Sequence, residues 1–405
     1  MNQVRKQAFV FSVIVAALGY FVDLYDIVIF GVVRVSSLTE LGITGAANTS
    51  WGIWLFNMQM AGMLIGGFAW GVIGDKFGRR FALLATISVY SLANIANAYV
   101  SSVEQYAALR FLAGLGLAGE LGAGITLVSE LLPKNLRGYG TTVISFLGLV
   151  GAVTASRVGG WFDWRAAYLT GGVLGLIVLV GRWYGLRESA MFTQAKGSSG
   201  QGNVLLLLQP SRLARFLAVI AVGVPIWYVS ALFVNLSPEY GKALNLNEPL
   251  KVADVLLYQA VGLAIGSGLS GLISEWIKSR KRVLYLCFAM LTVLTAVLMS
   301  LQDGTVQNYC LLMFVIGLGQ GYWTVFITMA AEQFGTNIRA TVSTSVPNIV
   351  RAMTIPMTLA LVAFKPSLGL TTVTLLIGGL VYGLAFWALY SLEDTYGKDL
   401  NYQEE

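Results

Sequence analysis

Apolar residues along this chain run on for a helix length at a time, and polar residues gather between the runs. Stretches such as 8–33, 255–273 and 283–301 approach or exceed the roughly 18 to 20 apolar residues that carry a helix across a bilayer core. Twelve such runs are predicted, over about 9–34, 50–73, 80–101, 106–131, 139–160, 165–186, 212–236, 252–276, 281–301, 307–331, 338–364 and 369–391. The pattern predicts an all-α membrane protein with twelve transmembrane helices. The first run follows Arg5 and Lys6, is too long for a signal-peptide core and carries Asp23 and Asp26, so it is expected to stay as the first span.

One longer polar stretch, 188–209, includes Gly197-Ser198-Ser199-Gly200-Gln201-Gly202 and has the composition of a linker. The expected organisation is a six-helix bundle over 1–187, a linker over 188–211, a second six-helix bundle over 212–392 and a tail over 393–405. The halves repeat. Gly71-Val72-Ile73-Gly74-Asp75-Lys76-Phe77-Gly78-Arg79-Arg80 returns as Gly271-Leu272-Ile273-Ser274-Glu275-Trp276-Ile277-Lys278-Ser279-Arg280, keeping the glycine, the acid and the last base. Glu130, Asn135 and Arg137 are echoed at the same spacing by Glu332, Asn337 and Arg339, and Gly114-Leu115-Gly116 by Gly317-Leu318-Gly319. Three echoes in one order describe parallel repeats.

Composition adds that the hydrophobic mass faces lipid, because 56% of residues are hydrophobic and 11% charged, against about a quarter charged in soluble domains. With both termini cytoplasmic, the inner loops and helix ends collect Arg5, Lys6, Lys76, Arg79, Arg80, Lys134, Arg137, Arg182, Arg187, Lys278, Arg280 and Arg339, while Arg34, Arg165, Lys242, Lys251 and Lys365 lie outside. The formal charge of +6 follows from this topology and gives no ground for nucleic-acid binding. Cys287 and Cys310 form neither a disulfide framework nor a metal-ligand spacing. There is no histidine, so any proton chemistry must use carboxylates. No metal or cofactor is expected. With no Ser-His-acid set, cysteine pair or nucleotide loop, an enzyme is not expected either. A membrane receptor is disfavoured because no appended soluble domain or long tail is there to relay a signal.

Six-span parallel repeats with this loop after the second span resemble the major facilitator superfamily, whose signature is Gly-x-x-x-Asp-(Arg/Lys)-x-Gly-(Arg/Lys)-(Arg/Lys). The resemblance implies two bundles, a cavity between them and transport by rocking about a site near the midplane. Gly71 and Gly74 are expected to allow close helix approach. Gly71, Asp75, Arg79, Arg80, Glu130 and Arg137, with Glu275, Arg280, Glu332 and Arg339, are the expected cytoplasmic gate; a role for the bases in topology alone stands beside it.

Ionisable residues inside spans are costly and therefore functional candidates. Asp23, Asp26, Arg110, Glu120 and Arg351 lie well inside, and Arg157 near an outer end. At about 1.5 Å per residue, Asp26 lies about 24 Å and Asp23 about 20 Å above the cytoplasmic start of the first span. Measured up from Glu130, Arg110 lies at about 30 Å and Glu120 at about 15 Å. Asp26 and Arg110 can therefore meet. Burial favours the neutral acid and a nearby arginine the charged one, so a breakable pair would let Asp26 take a proton. The alternative is a permanent strut between the first and fourth spans. Glu120 is a second proton site or substrate contact, or else a packing carboxylate.

Asn348 and Arg351 fall one turn apart at roughly 14 and 18 Å, with Gln320 in the same layer at about 18 Å. Trp227, Tyr228, Tyr258 and Gln259 lie somewhat further out. Together they are the expected substrate contacts. Arg351 offers a fork to carboxylate or phosphate, unless Glu120 or another buried acid claims it; the aromatics have packing as their alternative role.

Gly19-Tyr20-Phe21-Val22-Asp23-Leu24-Tyr25-Asp26 resembles the Gly-x-Phe-x-Asp-x-Tyr-Asp segment of phosphate:proton symporters and the Glu-Trp-(Phe/Tyr)-Asp segment of metabolite:proton symporters. The stretch from Arg110 to Glu120 is similar to their Arg-x-x-x-Gly-x-x-x-Gly-Gly-(Asp/Glu), with Ala118 in place of a glycine. Arg187-Glu188-Ser189-Ala190-Met191-Phe192 and Asp394-Thr395-Tyr396-Gly397-Lys398 resemble sugar-porter signatures without their prolines. The seventh span lacks the paired glutamines of hexose carriers, and Ala231 stands where a phosphate carrier would have aspartate. The resemblance implies a secondary active transporter, proton-coupled, for a small organic anion or zwitterion, working as a monomer in the inner or plasma membrane. Sugar or phosphate uptake, and export or exchange, stay as alternatives.

Overall fold

The computed structural model describes residues 3–120, 137–186 and 209–397. Contacts divide the chain into two units, Met1–Gly202 and Asn203–Glu405. The first holds α1 (Gln3–Glu40), α2 (Gly45–Phe77), α3 (Arg79–Asn97), α4 (Val103–Leu117), α5 (Arg137–Trp161) and α6 (Trp164–Gly185). The second holds α7 (Pro210–Tyr228), which runs on as a π-helical stretch Val229–Val234, then α8 (Ser237–Ala243), α9 (Val252–Ile277), α10 (Arg280–Met299), α11 (Val306–Gln320), α12 (Trp323–Glu332), α13 (Thr336–Ala352), α14 (Thr354–Leu368) and α15 (Leu370–Ser391). Every expected span falls on one helix or two successive ones; the second half of the fourth lies outside the described residues.

Helix is the backbone solution that long apolar runs require in lipid, where each N–H and C=O must find its partner within the segment. Among the described residues, eight helical stretches are long and apolar enough to cross a membrane. Large apolar side chains such as Leu272, Leu380 and Trp387 stand exposed, as lipid-facing positions do.

The repeat seen in sequence is also a repeat of packing. In the first unit α1 packs on α5 and α6, α2 on α4, and α3 on α4 and α6; in the second α7 packs on α13 and α15, α9 on α11, and α10 on α11 and α15. Glycines set the closest of these contacts. A Cβ on Gly62 would sit 2.1 Å from the carbonyl oxygen of Phe111, and one on Gly262 2.1 Å from that of Phe314. Side chains larger than hydrogen would force α2 from α4 and α9 from α11.

The repeated charged loop is a tight turn in both units. Gly78 ends α2 at φ 101°, and Lys278, in the same place, ends α9 at φ 53°. The first conformation suits glycine, whereas the second is the left-handed helical well. Gly71 does not make the close approach expected of it: among the described residues, no atom outside its own helical turn lies within 4 Å of a Cβ placed there. Five residues past Gly66, it is rotated about 140° from the face that meets α4. A Cβ on Gly74 would meet the Arg79 side chain at 3.2 Å and the Ala82 Cβ at 3.7 Å.

Candidate functional site

The first unit buries two ion pairs of unequal construction, both drawn from the fourth span. Arg110 on α4 reaches Asp26 on α1 through one Nη1 to Oδ1 contact of 3.5 Å, with Nη2 donating to the Asp26 carbonyl at 3.5 Å. Both side chains are fully buried. Asp26 Oδ2 is sealed from solvent and makes no hydrogen bond of ordinary length among the described residues, the Asn94 side chain standing beside the carboxyl. The guanidinium also lies 5.2 Å from the Phe30 ring centre and 5.7 Å from that of Tyr168, two aromatic faces that attract a cation. Asp23, one turn before Asp26, is buried as well.

Glu120 follows the break that ends α4 at Leu117. Its carboxylate accepts from Arg182 Nη1 at 2.8 Å, Arg182 Nη2 at 2.7 Å and the Thr86 hydroxyl at 2.6 Å, and Arg182 Nη1 also donates to the Leu83 carbonyl at 3.0 Å. This is a short, bidentate pair in which both carboxylate oxygens are bonded. Glycine at position 19 makes room for it, because a Cβ there would fall 1.5 Å from Arg182 Nη2. The sequence reading placed Arg182 among the topology-setting bases and left Glu120 without this partner. An arginine one turn from a helix end satisfies both descriptions, and only the side-chain direction separates them.

In the second unit the polar residues cluster where helices break. Gln320 is the last residue of α11, Arg351 stands in the last turn of α13, and Trp227 precedes the π-helical stretch of α7. Helix interruptions at membrane depth release backbone carbonyls that neighbouring side chains then satisfy. Gln320 Nε2 donates to the Ile226 carbonyl at 2.8 Å, and Gln259 Nε2 donates to Gln320 Oε1 at 2.7 Å and to the Ser230 hydroxyl at 3.0 Å. Ser230 carried no signal in the sequence. Arg351 lies 5.6 Å from the Trp227 ring centre, and its Nη1 donates to Asn348 Oδ1 at 3.5 Å. A buried guanidinium in its helix's last turn also sits well with that helix's dipole.

Tyr228 does not join this group. Its hydroxyl donates to the Thr374 carbonyl at 2.8 Å and its ring packs edge-on against Phe233 and Tyr382. Adjacent helical residues point about 100° apart, so Trp227 and Tyr228 cannot share a face. Tyr258 is half-buried beside Gln259.

Of the loop residues, Glu275 accepts from Arg280 at 2.8 Å and from the Tyr396 hydroxyl at 3.2 Å, while Glu332 lies 3.7 Å from Arg280 and accepts from Thr395 at 2.6 Å. Asp394 caps α10 through the Arg280 amide, at 3.0 Å, and the Ser279 hydroxyl. Burial pushes its carboxyl up, but Ser279 and the amides of Arg280, Tyr396 and Lys281 outweigh that and hold it below its ordinary value. In the first unit Arg80 donates to the Trp183 carbonyl at 2.8 Å. Glu130 and the side chains of Asp75, Arg137 and Arg339 lie outside the described residues.

The Major Facilitator Superfamily model matches residues 16–346. The chain is 33% identical over 170 residues to a niacin transporter of Acinetobacter baylyi, covering 41% of this chain and 38% of that protein. It is 30% identical over 208 residues to a 4-hydroxybenzoate transporter of Pseudomonas aeruginosa, covering 50% and 46%. The matched segments thus span less than half the length of these relatives. Among solved structures, a D-xylose-proton symporter superposes over 97% of this chain and 100% of its own with a TM-score of 0.74 at 17% identity, a likeness of fold.

Proposed function

The chain belongs to the major facilitator superfamily, and from that premise we propose that this membrane transporter moves an aromatic carboxylate together with a proton by alternating access. One observation carries the coupling: the unequal build of the two buried ion pairs. Both Glu120 oxygens are held by short bonds from Arg182 and Thr86, and breaking such a pair strands two buried charges. Asp26 and Arg110 are joined by single long contacts, and Asp26 has an oxygen to spare. A proton arriving on Oδ2 neutralises Asp26 and releases Arg110 onto the Phe30 and Tyr168 rings, where the cation keeps favourable partners. Opening the pair therefore leaves the cation with partners, as a coupling element requires if proton occupancy is to bias a conformational equilibrium. On this reading Glu120 fixes the fourth span and Asp26 carries the proton.

The substrate class rests on Arg351 and Trp227. A guanidinium held beside an indole face offers a carboxylate fork next to a surface on which a ring can stack. The niacin and 4-hydroxybenzoate transporters to which the chain is similar are named for acids of that shape. The protein acts as a monomer in the cell's inner or plasma membrane, with both termini and the repeated charged loops cytoplasmic. Uptake into proteoliposomes of benzoate, 4-hydroxybenzoate, nicotinate, xylose and phosphate tests the reading. Aromatic acids should enter and Arg351→Ala should abolish their entry; preferential uptake of xylose or phosphate would sink it.

A further inference from the structure

The direction in which one buried amide faces follows from a carbonyl it never touches. Ile226 lies near the end of α7, just before the π-helical stretch that begins at Val229, and its carbonyl accepts from the Ser230 hydroxyl at 3.1 Å as well as from Gln320. A carbonyl can only accept, so the group of Gln320 that meets it at 2.8 Å is the NH₂ group. Gln320 must then present its oxygen to Gln259. Two oxygens cannot face each other at 2.7 Å, so Gln259 turns its own NH₂ group inward, toward Gln320 and Ser230. Its oxygen, Oε1, is left facing the other way. That atom accepts no hydrogen bond among the described residues and is not among the sealed polar atoms, although the residue as a whole is 5% exposed.

The geometry points to Gln259 Oε1 as the specificity-determining acceptor for a hydrogen-bond donor on the substrate ring. This deepens the aromatic-carboxylate reading and rests on it. Ser230, which anchors the amide pair, lies one turn beyond Trp227 on α7, about 4.5 Å along the axis. Arg351, beside Trp227, and Gln259, bonded to Ser230, are thus held against successive turns of the same span. A hydroxylated ring supplies the missing donor. A neutral pyridine ring offers only an acceptor nitrogen, which the Gln259 oxygen repels, so a hydroxybenzoate is favoured over nicotinate. Rejection of a substrate lacking the donor arises because the site's polar atom is then left unpaired.

The test compares uptake of 4-hydroxybenzoate, 4-methoxybenzoate and benzoate by proteoliposomes of the full chain. Methylation keeps the oxygen and removes the donor. The expected result is a KM for 4-hydroxybenzoate on the order of tenfold below those of the other two acids, the scale of one to two neutral hydrogen bonds. Gln259→Met, which loses the acceptor, should bring the three values together. Wild-type protein that treats the hydroxy and methoxy acids alike overturns the proposal without any variant. So does a preference that survives Gln259→Met. Wild-type protein that carries none of the three acids strikes the aromatic-acid reading itself, and this inference falls with it.

Discussion

Adding a single methyl group at Gly19 separates the strut from the switch. In Gly19→Ala the new Cβ would stand 1.5 Å from Arg182 Nη2, 2.5 Å from its Cζ and 2.8 Å from Glu120 Oε2. Ordinary carbon contact lies at roughly 3.5–4 Å, so the guanidinium must withdraw by about 2 Å. The bonds it makes to Glu120 are 2.7 and 2.8 Å long, and a displacement of that size breaks them. Disrupting a buried pair costs about 3–5 kcal/mol. For a unit of this size each kcal/mol moves the melting temperature by roughly 2–4 °C, which gives a fall of about 6–20 °C in purified protein. The measurement is a thermal unfolding curve in detergent, with Asp26→Asn beside it as the control that leaves this pair alone. A Gly19→Ala protein melting within about 1 °C of wild type would refute the reasoning, because Glu120 and Arg182 would then be free to rearrange.

Asp26→Asn should lose accumulation against a gradient yet retain counterflow of labelled acid, whereas unchanged concentrative uptake would remove Asp26 from the coupling. Arg351→Lys keeps the charge but loses the planar fork, so the KM for the carboxylate should rise about tenfold or more, with Asn348→Ala smaller in effect; equal kinetics for Lys and Arg would show that no bidentate contact is made. The depressed Asp394 carboxyl contributes stability that is present above its unfolded pKa and is lost as pH falls through its lower folded value. Acidification should therefore lower the melting temperature of wild type more than that of Asp394→Asn, which starts lower at neutral pH and lacks this titration, and identical acid profiles would exclude the tail as a stabilising cap.

Much of the architecture was legible because the chain spells it twice. Apolar runs of span length and the echoed loops at Gly71 and Gly271 mark helices and repeats before any contact is known. Counting residues up from those loops placed Asp26 and Arg110 in one layer, and they touch at 3.5 Å. The same ruler measures height and not rotation. It brought Trp227 and Tyr228 together although they point about 100° apart, and gave Gly71 a neighbour not found among the described residues. It could not see that Arg182 turns inward, since a base near an inner helix end also serves topology. Helix breaks were the other blind spot. The π-helical stretch after Tyr228 and the turn after Gln320 supply the carbonyl and the angle that orient Gln259, and neither is marked by more than a proline or a glycine.

The account turns on whether a proton crosses with the acid. De-energised, weakly buffered proteoliposomes carrying the wild-type protein, with a pH electrode outside, give the answer when a pulse of 4-hydroxybenzoate is added. Coupled entry predicts external alkalinisation in step with uptake of the label, abolished in Asp26→Asn. Uptake of the acid with no change in external pH would contradict it.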